Sequence, residues 1–321
     1  MAKKHNNKSL PPKDSKPPNL QTDEAINLLR NLKPIFPTDA ERILRLSLND
    51  VDPLPFGYYH IDFWLEICPP LNERLKEDAR VFYVLLCAYY FLQDAYVDEH
   101  LDSKFDVLYL AHLLSGAWYF FDKTCRELTP DKKEEISKKL LTYISKNAKA
   151  VKDEYLFQKE LLMPSEEEYE SIVGRSNPFV FIYELFSALA DKPVEPHVMK
   201  LCSDDVFLLQ LADDLGDWRE DYQAGRYTSV IRTCFAKKGR FLTEKEIEEE
   251  MFFGGVYEQQ AAKIISGLDK LISQLETDSY QPYNKFKDFV ESQRERVYQV
   301  LVEWISVKIQ TLNDLRKQNI A

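Results

Sequence analysis

Two long stretches without proline, 71–129 and 197–281, lie in a chain with nine glycines among 321 residues. This pattern constrains the fold before any motif is read. Proline breaks helix interiors, so its absence permits long helices in both stretches. Glycine supplies tight turns, bulges and phosphate-cradling loops, and here it reaches less than half its usual share of about 7%. The scarcity argues against a Rossmann domain, a P-loop enzyme and a strand-rich sandwich. Forty-two Lys and Arg against 53 Asp and Glu give a net charge of -11, the wrong sign for a nucleic-acid binder. The sequence therefore predicts an all-α protein that binds no nucleic acid.

Ten of the sixteen prolines precede residue 71, and residues 1–20 hold five lysines, one aspartate and four prolines without an apolar run. That composition predicts a disordered Lys/Pro-rich tail over 1–20 rather than a signal peptide. The remainder, 21–321, reads as one α-helical domain, since no linker divides it. Helices are predicted near 22–33, 38–48, 58–68, 72–100, 104–126, 130–158, 165–173, 177–191, 195–224, 243–253, 256–276 and 283–317. Thr38-x-x-Glu41, Ser165-x-x-Glu168 and Thr243-x-x-Glu246 read as capping boxes, and Thr129-Pro130 puts proline at a first helical position. The segments 81–93, 177–190 and 204–215 are apolar almost all round, as at the centre of a large bundle. Cys68, Cys87, Cys125, Cys202 and Cys234 are odd in number and never spaced CxxC, which argues against disulfides and zinc. With no run approaching the ~18 apolar residues of a membrane helix, the expectation is a cytoplasmic protein without membrane insertion.

Two of the apolar segments end in acid. One runs from Val81 to Gln93 and meets Asp94-Ala95-Tyr96-Val97-Asp98-Glu99; the other runs from Asp205 to Ala212 and meets Asp213-Asp214-Leu215-Gly216-Asp217-Trp218-Arg219-Glu220-Asp221. Asp94 and Asp98 share a helix face, as do Asp213, Asp217 and Asp221. Like charges at i,i+4 repel, and acid near a helix C-terminus opposes the macrodipole. Divalent cations reverse that cost, because Mg²⁺ takes carboxylates and completes its shell with water and phosphate oxygens. Lysines and arginines elsewhere could also neutralise the acids, and a solvated helix end remains the plain alternative for either cluster alone.

These residues resemble the metal motifs of class I terpene synthases and trans-prenyltransferases. Asp94–Glu99 is similar to the first motif, DDxxD/E, with Ala95 where the second aspartate stands. Asp213–Asp221 is similar to the second, (N/D)DxxSxxxE or its DDxxD counterpart, and Gly225 follows it at the family's spacing. The resemblance, over about 40–315, implies a single helical bundle of class I terpenoid synthase type with a central apolar cavity for an isoprenoid chain. It implies Mg²⁺ as cofactor, three ions in number with Mn²⁺ as an alternative. Asp94 and Asp98 would ligate from one side, and Asp213, Asp217 and Asp221 from the other. Arg175, in the break Gly174–Phe179, would sense the diphosphate and, with Asp94, act in catalysis; Arg226 and Tyr227 would also bind diphosphate. Cys87, Tyr90, Phe91, Phe179, Tyr183, Phe207 and Gln210 would line the cavity, though each also reads as plain core. The family's C-terminal Arg-Tyr pair is missing, with Arg294, Arg296 and Tyr298 close together in its region.

The expected activity is ionisation of an allylic prenyl diphosphate with cyclisation or quenching. A prenyltransferase using isopentenyl diphosphate or another small-molecule acceptor is the alternative, and a non-catalytic helical interaction protein the third. The protein would be either a monomer or a homodimer.

Overall fold

The computed structural model describes residues 64–66, 71–97, 106–160, 165, 178–277 and 284–320. Among them every regular element is helical: α1 Glu73–Val97, α2 Asp106–Thr124 and its 3-10 extension Cys125–Glu127, α3 Pro130–Glu160, α4 Phe181–Leu189, α5 Pro196–Gly216, α6 Trp218–Gln223, α7 Ser229–Lys238, α8 Glu244–Phe252, α9 Val256–Thr277 and α10 Asn284–Ile320. No described helix is long and apolar enough to cross a membrane. The predicted tail at 1–20, the helices at 22–33 and 38–48, most of those at 58–68 and 165–173, and Cys68 lie outside the described residues. So do Glu41 and Glu168 of two predicted capping boxes.

Helix α1 buries every residue from Val81 to Ala88, as its unbroken apolar run requires. Phe82 packs against Phe121 of α2 and Phe181 of α4, with ring centroids 5.6 and 6.4 Å apart. Asp78, buried near the start of α1, is neutralised by Lys123 at 2.8 Å and Arg126 at 2.6 Å from the end of α2. At the α3–α4 contact, Glu184 accepts from Tyr143 Oη at 2.7 Å and pairs with Lys139 at 2.9 Å. Cys87, Cys125, Cys202 and Cys234 are buried free thiols.

The second half is organised around α9. Val256, Ala261, Ile264, Leu268, Leu271, Ile272 and Leu275 recur at helical spacing and are all buried. That stripe packs against α5 and α10. Where α9 meets α5, a Cβ on Gly267 would stand 2.5 Å from Leu208 Cδ2, so glycine permits the close approach. The Thr243 capping box is present: Glu246 N–H donates to Thr243 Oγ1 and Thr243 N–H to Glu246 Oε2 at 2.9 Å. Pro130 opens α3 at the first helical position.

Two readings of the sequence need correction. The helix expected over 195–224 is divided at Asp217, whose φ of -102° and ψ of 11° separate α5 from α6. Residues 229–238, not expected to be helical, form α7. Its β-branched Val230, Ile231 and Thr233 lower helix propensity, but Val230, Ile231, Cys234 and Phe235 are all buried, and that packing decides. Lys237 and Lys238 in its last turn and Gly239 beyond, at φ 68°, were the signals that mark its end.

Enlarging Gly267 tests the α5–α9 approach. Gly267→Leu is expected to lower unfolding free energy by about 1–3 kcal/mol through overpacking, read by urea denaturation. Leu208→Ala in the same chain should recover part of that loss, a positive coupling in a double-mutant cycle.

Candidate active site

The aspartates along α5, its joint and α6 fall into distinct environments. The helical ladder continues across the joint, with Asp217 N–H donating to Asp213 O and Asp221 N–H to Asp217 O, both at 2.9 Å. The three aspartates therefore keep their i,i+4 succession despite the break. Asp213 and Asp217 are exposed, whereas Asp221 is buried. Asp205, further up α5, is 1% exposed.

Asp221 is held by the turn that follows it. Gly225, at φ 74°, occupies the left-handed region, Gly225 N–H donates to Tyr222 O at 3.0 Å, and Arg226 N–H donates to Asp221 O at 2.7 Å. This is a Schellman ending, which explains the glycine beyond the motif. It returns the buried Arg226 to Asp221, with Nε donating to Oδ1 at 2.8 Å. Burial still raises the Asp221 carboxyl to about 7, against the pull of Arg226. Asp221, expected as a metal ligand, thus spends one oxygen on Arg226, and Arg226, expected to bind diphosphate, is engaged by that carboxylate.

Asp214 points away from this series. It accepts from Gln210 Nε2 at 3.1 Å and, at 3.4 Å, from the backbone N–H of Ser229, the first residue of α7. An anion suits that helix start. Gln210 is half-buried and directs its amide to Asp214 rather than standing as plain wall. Arg219 pairs with Glu244 at 3.2 Å and Glu248 at 2.6 Å of α8, over the Trp218 ring.

The raised carboxyl of Asp217 brings in a residue that motif reading did not assign. Desolvation by its neighbours and the charge of Glu220 push it upward, while Arg226 and Arg296 pull it down. Arg296 comes from α10 and is the member of the C-terminal trio that reaches this acid electrostatically. Arg294 instead pairs with Asp269 at 3.1 Å, and Tyr298 is 50% exposed.

The expected cavity residues divide. Tyr90, one turn before Asp94, is buried with its hydroxyl making no hydrogen bond, and its ring meets Phe179 at 5.7 Å. Cys87 is fully buried one turn earlier, and burial pushes its thiol well up. Tyr183 is buried on α4 and accepts from Glu195 N–H at 3.2 Å. Phe207 is 39% exposed. Tyr227 is half-buried in an edge-on aromatic cluster with Phe235 and Phe241, its ring used in packing. Asp94 lies in the last turn of α1. The side chains of Asp94 and Phe91, and all of Asp98, Glu99 and Arg175, lie outside the described residues.

Exposed carboxylates one turn apart, Asp213 and Asp217, are hard oxygen donors suited to Mg²⁺. Among the described residues no three His, Cys, Asp or Glu gather into a metal-binding group.

The fold matches that of a geranylgeranyl pyrophosphate synthetase from the archaeon Geoglobus acetivorans. The TM-score is 0.65 at 15% sequence identity, covering 87% of this chain and 97% of that one. The chain thus has the all-α isoprenoid synthase fold. No family model and no curated protein sequence matches it.

Two substitutions probe the electrostatics. Arg226→Met removes the counter-charge of the buried Asp221 carboxyl, so its cost should grow as pH climbs above about 7, where Asp221 ionises beside Arg226, and Asp221→Asn in the same chain should abolish that pH dependence; chemical denaturation reads both. Asp205 makes a long contact with Gln293 Nε2 at 3.5 Å, its Oδ2 makes no hydrogen bond, and burial raises its carboxyl to about 8. An acid raised on folding stabilises the fold below its unfolded value near 4 and loses that contribution as pH climbs to about 8. Asp205→Asn should therefore remove a decline in stability between those limits, with its gain over the parent growing toward pH 8.

Proposed function

We propose that this protein is a Mg²⁺-dependent enzyme that ionises an allylic prenyl diphosphate and completes the reaction as a class I terpene synthase does. The observation that carries this reading is the pairing of the isoprenoid synthase fold with exposed Asp213 and Asp217 at the end of a buried helix. A second relation supports it. Tyr83 of α1 lies within electrostatic reach of Cys202 of α5, and each stands eleven residues before the aspartate that opens its motif, Asp94 or Asp213.

In this reading Asp94 and Asp98 hold metal from one side and Asp213 and Asp217 from the other, with Asp221 fixing Arg226 beside them. Bound Mg²⁺ supplies electrostatic stabilisation of the departing diphosphate oxygens. Arg175, Arg226 and Tyr227 contribute donors to the same anion. The allylic C–O bond breaks with its electron pair passing to the diphosphate oxygen. Apolar and aromatic side chains, Tyr90 and Phe179 among them, shield the cation from water. Ring faces attract such a cation by about 0.5–2 kcal/mol each. Internal attack by an alkene moves the positive charge to a new carbon, and proton loss or capture of water, with loss of its proton, then ends the reaction.

A second reading keeps the site and passes the cation to isopentenyl diphosphate or another small nucleophile. The fold neighbour, a geranylgeranyl pyrophosphate synthetase, favours it.

Incubation with geranyl, farnesyl and geranylgeranyl diphosphates plus Mg²⁺ separates the readings. Diphosphate release with hydrocarbon or alcohol products identifies the synthase; products formed only with an added acceptor identify the transferase. No release with any chain length or acceptor overturns both. Asp213→Ala and Asp94→Ala are each expected to lower release by about a hundredfold or more, with thermal unfolding close to that of the parent.

A further inference from the structure

Helix α10 has more apolar surface than its own bundle uses. Val297, Leu301 and Trp304 pack against the core, Trp304 stacks on Tyr257 at 4.1 Å, and Lys308 pairs with Glu258 of α9. A second stripe, displaced by one residue, faces solvent: Tyr298, Val302, Ile305, Ile309 and Leu312 are 50, 40, 38, 55 and 37% exposed. Their spacing of four, three, four and three is that of a coiled-coil seam, and it runs for about 21 Å at 1.5 Å per residue. From 298 to 315 the only charged residues are Glu303, Lys308 and Asp314, in a chain that is 30% charged overall. A solvated face would carry its share of that charge; an apolar patch nearly without it marks an interaction surface.

Charge at the ends of the seam selects the occupant. Continuing the same spacing reaches Glu291 and Glu295 at one end and Arg316 at the other. A parallel pair of these helices sets Arg316 on Arg316 and each glutamate on its counterpart, which repels. An antiparallel pair sets Val302 against Ile305 and Ile309 against Tyr298 of the second copy, and each Arg316 against a Glu291. The positions flanking the seam on one side, Gln299, Ser306 and Asn313, are neutral and oppose no approach.

We propose that this face of α10 docks on the same face of a second copy of the chain, forming a two-fold antiparallel helix pair. The surface is self-complementary, as a two-fold interface requires. One helix pair is small beside the roughly 800 Å² per partner of a standard interface, so the dimer is a reversible one.

Light scattering and sedimentation of the full chain at about 50 µM, a concentration suited to a micromolar complex, test it. The expected mass is twice 37.7 kDa, falling to a monomer in Ile305→Glu with an unchanged circular dichroism melt. Arg316→Glu alone should raise the dissociation constant about tenfold, and adding Glu291→Arg should restore it. A parent that is monomeric, or an Ile305→Glu variant that remains dimeric, overturns the proposal. A monomer whose 298–312 amides are protected from hydrogen exchange by residues 22–48 overturns it in favour of an intramolecular cover. Failure of the charge swap to restore affinity overturns the antiparallel register.

Discussion

Helix α5 can end in a cluster of aspartates because one face of it is buried along its length. Val198, Leu201, Cys202, Val206, Leu208, Leu211 and Leu215 are enclosed, and the Gly267–Leu208 approach lets α9 close tightly over it. Burying such side chains contributes about 1.5–3 kcal/mol each. Placing like charges along the end of the helix costs a few tenths of a kcal/mol per pair. The apolar contacts therefore dominate and hold the acids in place whether or not a cation neutralises them. The packing of α5 on α9 thus comes before any chemistry at its end.

The same helix then sorts its carboxylates by environment. Asp205 is dry and keeps its proton toward neutral pH. Asp214 anchors α7 through Ser229, and Asp221 is committed to Arg226 by the Schellman turn at Gly225. Asp213 and Asp217 remain toward solvent. Four residues separate Asp213 from Asp217, and four more separate Asp217 from Asp221, yet of the three only the last is buried. The joint at Asp217 and the turn at Gly225 make that difference, with Arg296 of α10 adding positive charge from another element.

Helix α10 links this site to the outside of the molecule. Gln293 touches Asp205, Arg296 acts on Asp217, and Trp304 closes over Tyr257. Beyond those contacts the helix continues to Ile320 with its apolar seam exposed. An element that supports the acid cluster on one face and offers a self-complementary stripe on another gives an association surface distinct from the acids.

Much of the fold was legible because it rests on local rules. Proline-free stretches gave α1, α5 and α9; Thr129-Pro130 gave the start of α3 and Thr243-x-x-Glu246 that of α8, since caps are satisfied within a few residues. The acid motifs were legible for the same reason, as i,i+4 spacing alone sets a helix face. Helix α7 was not, because its propensity is poor and burial among distant residues stabilises it. Nor were the partners of Asp221, Asp214 and Arg219, which depend on a turn, a neighbouring helix start and α8. By itself the sequence determined most of the helical segments and where their acids stand. Only the tertiary structure decided which carboxylates are committed and which face solvent, because that depends on the burial and counter-charge brought by residues far along the chain.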